Sequence, residues 1–558
     1  MKKRKHATKP AFRHQLDVIY LYRTAIKSTT KNMLKRGRII YDNKYFFLIV
    51  SLILSSFTHL FNPIGWPGLY YDEGIYLGRA MHLMNGLGLQ EDPTFYDHPY
   101  FGQFFLAGIF SLISYPHNIS PQLGNINSIE MLYIIPRIIM GLLAVVDTFL
   151  IFEISERVYN KKVALIASII FGVTPLSWLL RWILLDSILL PFLLLSILLA
   201  IISNNYLKSN KNSRGILLFL SSGIALGLAI FTKIPAFVII PLTGILIFKN
   251  TNRSHKWVCL WLIPIILIPM MWPAYSIING QFINWLSGIY YQTHRESQPL
   301  VKSFQTILFK DDPIFLILGI SGLIMAFIKR DLLVLFWIIP VFLFFYIIGW
   351  VSLYHWIILI PAFSIAIGSM IEEILKRISN KRIIKIFFST FTILLIIASI
   401  DLVKTNSIIT MNVNSAHFEA AAHLYSYLSN MNNKTNSNTK VTIIADPFYL
   451  WIAKYVFKLN YDYKSYYNVN STGNRTILVV DRDLRNVMFK NDESSKKINQ
   501  IYFSKHSHIV YIAWENPKNP KRTYNVTIID YSRPTTNPRN TGINIDNHKV
   551  LAVGRSNH

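Results

Sequence analysis

Two acidic residues stand side by side at Asp72-Glu73, and Asp97-His98-Pro99 follows in the same stretch of chain. Arg137, Arg181, Asp186 and Lys233 come at wider intervals, and Tyr354-His355 stand much further on. A positioned carboxylate can take a proton from an incoming hydroxyl. Arginine and lysine can hold a phosphate and stabilise charge that grows on it as it leaves. Brought together, these residue types would suit the displacement of a phosphate by a hydroxyl.

The elements that must position them are apolar. Of 558 residues, 52% are hydrophobic, 14% aromatic and only 15% charged, and the mean hydropathy is +0.35. The apolar residues gather into blocks of about 15–22, the length that crosses ~30 Å of hydrocarbon as a helix. Spans are predicted at 45–61, 133–153, 163–180, 187–203, 215–231, 235–248, 257–273, 313–328, 332–350, 356–372 and 386–403. The expected fold class is a polytopic α-helical membrane protein of about eleven spans, because only helices satisfy their own backbone inside such blocks. Cys259 is the single cysteine, which excludes a disulfide within the chain and a Cys/His zinc framework.

A net charge of +27 invites a nucleic-acid partner, but its distribution points to membrane lipid instead. Residues 1–44 hold 13 Lys/Arg against Asp17 and Asp42, directly before the first apolar block. Such a segment is ordinarily a cytoplasmic anchor drawn to anionic lipid. Loops on its side of the predicted membrane carry 29 Lys/Arg in all, and the opposite loops carry six: Arg79, Arg181, Lys233, Arg295, Lys302 and Lys310. The asymmetry predicts a cell-membrane protein with a cytoplasmic N-terminus. Residues 404–558 would then lie outside the cytoplasm. "FGQFFLAGIFSLISY" (101–115) reads as an interfacial or re-entrant helix in a long outer loop, 62–132, since a true span there would invert every later loop.

Domain organisation follows: a basic cytoplasmic segment 1–44, a membrane domain 45–403 and an extracytoplasmic domain 404–558. From about 415 the pattern changes to a helix ("HFEAAAHLYSYLSNM"), a strand ("VTIIAD"), a helix ("PFYLWIAKYVF") and strands "TILVVD", "HIVYIAW" and "NVTIID". That alternation predicts an α/β domain, with a poorly ordered terminal stretch after it.

With this threading, polar and ionisable groups from several outer connections reach one membrane face, where such residues default to function. Plainer roles stand beside that one. Asp72-Glu73 read equally as loop charges. Arg137, Arg181 and Lys233 read as anchors that snorkel to the interface. Asp186 reads as a helix cap. Asp147, inside a span, reads as a paired structural acid.

The same residues carry a resemblance to membrane glycosyltransferases of the GT-C fold, most of all to protein O-mannosyltransferases. Asp72-Glu73 in "YYDEGIY" is similar to that family's early acidic pair, and "YDHPYFGQ" to its Asp-x-His-Pro-Pro-x-Gly-Lys stretch, with Tyr100 and Gln103 replacing the second Pro and the Lys. Arg137 in "IIPRIIMGLL" and "LRWILLDS", with Arg181, Asp186 and Ser187, match further motifs, and "GIALGLAIFTK", ending in Lys233, resembles a stretch of lipid-A aminoarabinose transferases. The family's large outer insertion is missing from 274–312, and the tail lacks the "WWDYG"-type motif of oligosaccharyltransferases.

The resemblance implies transfer of a sugar, mannose or another hexose, from a polyprenyl (dolichyl) phosphate donor to a hydroxyl of a protein, glycan or lipid acceptor, with inversion. It implies Asp72 as general base, Glu73 and Asp186 as orienting acids, and Arg137, Arg181 and Lys233 as phosphate ligands. Asp97, His98, Tyr354 and His355 would help to bind substrate. The resemblance does not force a metal, and a carboxylate-bound divalent ion stays open as an alternative, since these oxygens suit Mg²⁺ or Mn²⁺. The competing class is a transporter or flippase for a polyprenyl-linked or anionic solute. It would use the same cations without a base, but the paired repeats and broken midplane helices of transporters are not evident.

Overall fold

A computed structural model describes residues 44–208, 212–250, 255–295, 299–377, 403–407, 410–432, 441–467, 469, 472–490, 492–515 and 524–532. Residues 1–43 of the expected basic segment 1–44, most of the span at 386–403 and the terminal stretch from 533 lie outside the described residues.

Helices α1 (Lys44–Leu60), α2 (Tyr71–Met84), α3 (Phe101–Leu112), α4 (Ile126–Val158), α5 (Lys161–Val173), α6 (Leu185–Lys208), α7 (Asn212–Thr232), α8 (Ile240–Asn250) and α9 (His255–Ile278) come first. They are followed by α10 (Phe282–Thr293), α11 (Leu300–Thr306), α12 (Pro313–Lys329), α13 (Leu332–Ile348) and α14 (Ile360–Arg377). Four of the described helices, α4, α6, α7 and α9, are long and apolar enough to cross a membrane alone. A fifth crossing would be α5 with the 3₁₀ turn Pro175–Arg181, bent by 68°. Shorter apolar helices occupy the predicted blocks at 45–61, 235–248, 313–328 and 332–350, and 101–115 is the short helix α3.

The bundle is joined by small hydroxyls as well as by apolar contact. Ser51 and Ser168 hydroxyls lie 2.8 Å apart, Thr148 Oγ1 donates to Ser55 Oγ at 2.7 Å, and Thr58 Oγ1 donates to the Gly172 carbonyl at 2.6 Å. Such bonds tie α1, α4 and α5 where apolar area alone favours no particular partner. Asp147 is fully buried there, and both carboxylate oxygens lack a partner among the described residues, contrary to the expected pairing. Helix α9 leaves Ile266, Leu267, Met270 and Met271 exposed, a face suited to hydrocarbon.

The tail is an α/β unit. Helix α15 (Ser415–Asn432) precedes a five-stranded sheet of order β2-β1-β3-β5-β4, from β1 (Val441–Ala445), β2 (Asp462–Ser465), β3 (Arg475–Val480), β4 (Ser507–Trp514) and β5 (Asn525–Ser532). Strands β2 and β3 run parallel to β1, and β5 runs antiparallel to both β3 and β4. Sequence pattern missed β2, whose "DYKS" has none of the expected β-branched residues.

This unit does not stand apart. Its buried residues continue into the core of the helical bundle. Trp451 Nε1 donates to Tyr133 Oη of α4 at 2.7 Å, and Tyr71 of α2 shares a 2.7 Å hydrogen bond with Ser465. The backbone of Pro447–Phe448 lies so close to Gly74 that a Cβ there would collide with it. Asn414, fully buried, accepts from Leu69 N at 2.9 Å and donates to the carbonyls of Ile64 (2.6 Å) and Pro67 (2.9 Å). The tail therefore clamps the segment that leads into α2.

Candidate active site

Helix α2 starts where its third residue closes the first turn: Glu73 Oε2 accepts from Tyr70 N at 2.9 Å. An acid suits that position, next to unpaired backbone N–H groups. The capping places the preceding residue, Asp72, on the other side of the turn, half-buried. No hydrogen bond or ion pair engages its carboxylate among the described residues. Burial lifts the Asp72 carboxyl to about 6, with Lys233 opposing that rise and Asp97 adding to it. Arg295 and Arg79 also act on it.

Four other connections supply the surroundings. Lys233, at the end of α7, puts Nζ 2.7 Å from Asp186 Oδ2, in the first turn of α6, and 4.4 Å from the centre of the Tyr354 ring. Tyr354 and His355 come from the 3₁₀ turn Leu353–Ile358, where Ser352 N donates to His355 Nδ1 at 3.0 Å. Burial, reinforced by Lys233, pushes His355 well below the usual imidazole range. His98 is likewise brought down to about 3 by burial despite Asp97, so both rings are neutral. Burial would raise Asp97, but Arg79, 2.9 Å away, holds it below its ordinary value. Tyr70 stacks on Trp182 (4.8 Å between ring centres) and meets Tyr354 edge-on at 6.2 Å.

Arg295 belongs to this group and was not singled out in the sequence. Its guanidinium sits 4.5 Å from the Trp350 ring and 5.3 Å from the Tyr291 ring, and its Nε is buried without a partner among the described residues. The signal was present: Arg295 is one of only six basic residues in the loops expected outside.

Glu73, Arg137 and Arg181 are placed differently. Glu73 accepts from Arg137 Nε (3.0 Å), Arg137 Nη2 (2.7 Å) and Ile183 N (3.1 Å), while Arg137 Nη1 donates to the carbonyls of Pro63 (3.1 Å) and Pro67 (2.9 Å). Both side chains are buried, and the guanidinium turns no open face to a ligand. Arg181 is buried as well, donating through Nη2 to the carbonyls of Phe61 (2.5 Å) and Asn62 (2.7 Å). None of Arg137, Arg181 or Lys233 snorkels. Glu73 and Arg137 form a buried layer that holds the loop and α2 beside the Asp72 cluster, and Arg181 keeps Nε and Nη1 without a partner among the described residues.

Among the described residues no three His, Cys, Asp or Glu side chains meet as a metal-binding group. Asp97 is already held by Arg79, and Asp72 lies among Lys233, Arg295 and Arg79.

The fold has known counterparts. ArnT from Cupriavidus metallidurans bound to undecaprenyl phosphate is similar with a TM-score of 0.50 and 12% identity, covering 87% of this chain and 97% of that one. The oligosaccharyltransferase AglB from Archaeoglobus fulgidus, in complex with an inhibitory peptide and a dolichol-phosphate, is similar with a TM-score of 0.50 and 11% identity, covering 85% and 73%. Against the apo form of the Archaeoglobus fulgidus oligosaccharyltransferase the figures are 0.48 and 11%, and the chain covers 63% of that protein's length with 74% of its own. No curated protein matches in sequence. The class so defined is one of fold, the GT-C type shared with ArnT and AglB.

Within that class, the particular family whose model matches is dolichyl-phosphate-mannose-protein mannosyltransferase, over residues 89–292. The matched segment takes in Asp97, His98, Arg137, Arg181, Asp186 and Lys233, and leaves Asp72-Glu73 before its start.

Proposed function

We propose that the protein transfers mannose or another hexose from a polyprenyl phosphate donor to an acceptor hydroxyl at the outer membrane face. The observation that carries this is Asp72: a half-buried carboxylate, free of partners among the described residues, facing a group of fixed cations. Asp72 takes the hydroxyl proton as the oxygen attacks the anomeric carbon. The bond from that carbon to the phosphate oxygen breaks, and the leaving phosphate keeps the electron pair. Lys233 and Arg295 stabilise the charge that develops. Asp186 holds Lys233 in place, and neutral His98 and His355 offer hydrogen bonds without adding charge. A single displacement inverts the anomeric centre. Glu73 and Arg137 act through structure, positioning Asp72.

Eleven spans, a cytoplasmic N-terminus and an extracytoplasmic tail complete the reading, supported by the 29-to-6 distribution of basic residues. The tail, clamped against α2, borders the place where an acceptor would arrive and so bears on acceptor choice. Incubating purified protein with dolichyl phosphate mannose and candidate acceptors tests the reading. Consumption of the lipid with a glycosylated product supports it; transport of the lipid without product would favour the transporter instead.

A further inference from the structure

The stretch 96–100 serves two neighbouring groups. Asp97 and His98 join the charged cluster, while Tyr96 and Tyr100 turn into a separate aromatic group with Phe231 of α7 and Trp272 of α9. Tyr275 and Trp285 pack against it and are half-buried, giving it an open edge. Tyr100 lies 5.3 Å from Tyr275 and 6.4 Å from Phe231, and Trp272 lies 5.7 Å from Trp285, between ring centres. Gly288 lets α10 come against the Tyr96 carbonyl, where a Cβ would collide.

Trp272 Nε1 and Trp285 Nε1 have no partner among the described residues, and Tyr100 Oη makes no hydrogen bond of good geometry beside its neighbour, the Tyr96 phenol. Tyr100 is 2% exposed and Trp272 1%. The nearby phenol of Tyr96 already donates to Gln281 Oε1. Buried N–H and O–H groups without partners are rare in folded proteins, because each forfeits its hydrogen bonds to water. Two within one aromatic group and a third poorly met, two residues along the chain from both His98 and Lys233, call for a ligand that supplies oxygen acceptors.

We propose that Tyr100, Trp272 and Trp285 form the subsite for the sugar ring of the donor, their O–H and two N–H groups meeting its oxygens between aromatic walls. This rests on the glycosyltransferase reading above and names where the donor's sugar is read. The three hydrogen-bond donors are uncharged, with Arg79 acting on Tyr100 only from outside the group, so a neutral hexose suits them better than a phosphate. A polyprenyl tail carries no acceptor and would leave the donors unmet. It also accounts for Tyr100 in "YDHPYFGQ": a proline there would bring no hydrogen-bond donor. Gln103, the other departure from the family's stretch, donates to the Leu89 carbonyl at 2.5 Å and so secures a residue packed on this group.

The test compares binding of dolichyl phosphate mannose and of dolichyl phosphate to the full-length protein, wild type against Tyr100→Phe, Trp272→Phe and Trp285→Phe. Each variant should weaken the mannose-bearing lipid by about three- to tenfold, the worth of one hydrogen bond, and leave dolichyl phosphate unchanged. Tyr100→Phe removes a buried hydroxyl whose neighbour, Tyr96, keeps its bond to Gln281, so the unliganded protein should be no less stable in a thermal melt. Unchanged affinity for the mannose lipid in Tyr100→Phe and Trp285→Phe would overturn the subsite and leave water as the occupant. Equal losses for both lipids would overturn it too. If the wild type binds neither lipid, the proposed function falls with it; if it binds both and the variants hold the mannose lipid as tightly as the wild type does, the function stands and the subsite alone falls.

Discussion

The Glu73 carboxylate holds the Arg137 guanidinium through two hydrogen bonds, 3.0 Å from Nε and 2.7 Å from Nη2, one residue from the partner-free Asp72. Adjacent acids thus have opposite tasks, one structural and one available. Arg137→Ala would leave a buried carboxylate without its counter-charge and the Pro63 carbonyl unmet, with Pro67 still held by Asn414, which costs about 3–5 kcal/mol. The expected outcome is loss of the folded protein in a thermal melt before any donor-binding effect can be read. Arg137→Lys should recover little, since an ammonium cannot reproduce the paired geometry. A stable Arg137→Ala protein with weakened donor binding would return Arg137 to the phosphate.

Asp72→Asn should lower kcat by about 10²–10⁴-fold while donor affinity holds. With the wild-type carboxyl near 6, its basic form is lost as pH falls through that value, so the rate should drop below about pH 6 and not, as for an ordinary carboxyl, near 4. The stability sign is opposite. The folded state binds this proton more tightly than the unfolded chain does, so stability falls as pH rises from 3.8 to about 6. Asparagine removes that penalty, and the variant's melting temperature relative to wild type should climb over the same interval.

Arg295→Ala should weaken donor binding about ten- to a hundredfold, the range for a hydrogen bond to a charged group, with little effect on folding. Lys233→Ala should lose donor affinity and stability together, because Asp186, 2.7 Å from Nζ, is left buried and unpaired. Adding Asp186→Asn should recover stability but not binding. Recovery of both in the double variant would remove Lys233 from the phosphate.

Asn414→Ala should cost about 1–3 kcal/mol, because it leaves buried backbone groups at Leu69 and Ile64 without partners, while the Pro67 carbonyl keeps Arg137. Those groups lead into α2, so kcat should fall with stability. A protein ending near Asn406 should not hold its fold, given the core shared between tail and bundle. A well-folded truncated protein would show that the tail is an independent unit.

On a Cys259→Ser background, cysteine placed at Gln90 should label from outside an intact cell and cysteine at Lys161 should not. The reverse pattern would invert the whole threading and put the candidate site on the cytoplasmic side.

Much of the architecture was legible without coordinates, because membrane and turn constraints act locally. Apolar blocks long enough for hydrocarbon marked the helices, the Lys/Arg imbalance predicted a direction, and the change to short β-branched runs after 415 marked the α/β unit. Residue type also selected the candidates, since Asp72, His98, Asp186 and Lys233 suit proton and phosphate chemistry wherever they stand. What type could not separate was use. Glu73 and Asp72 are neighbours of like charge, and only the helix turn, with Arg137 arriving from α4, decides which is engaged and which is free. Arg295 looked like any loop cation until Trp350 and Tyr291 turned it toward the site. The docking of the tail on α2 through Asn414, Trp451 and the gap at Gly74 joins residues more than 300 positions apart. Hydropathy and periodicity report what a segment does to its own surroundings; which buried surfaces meet, and which polar groups they leave unpaired, is decided only when the chain packs.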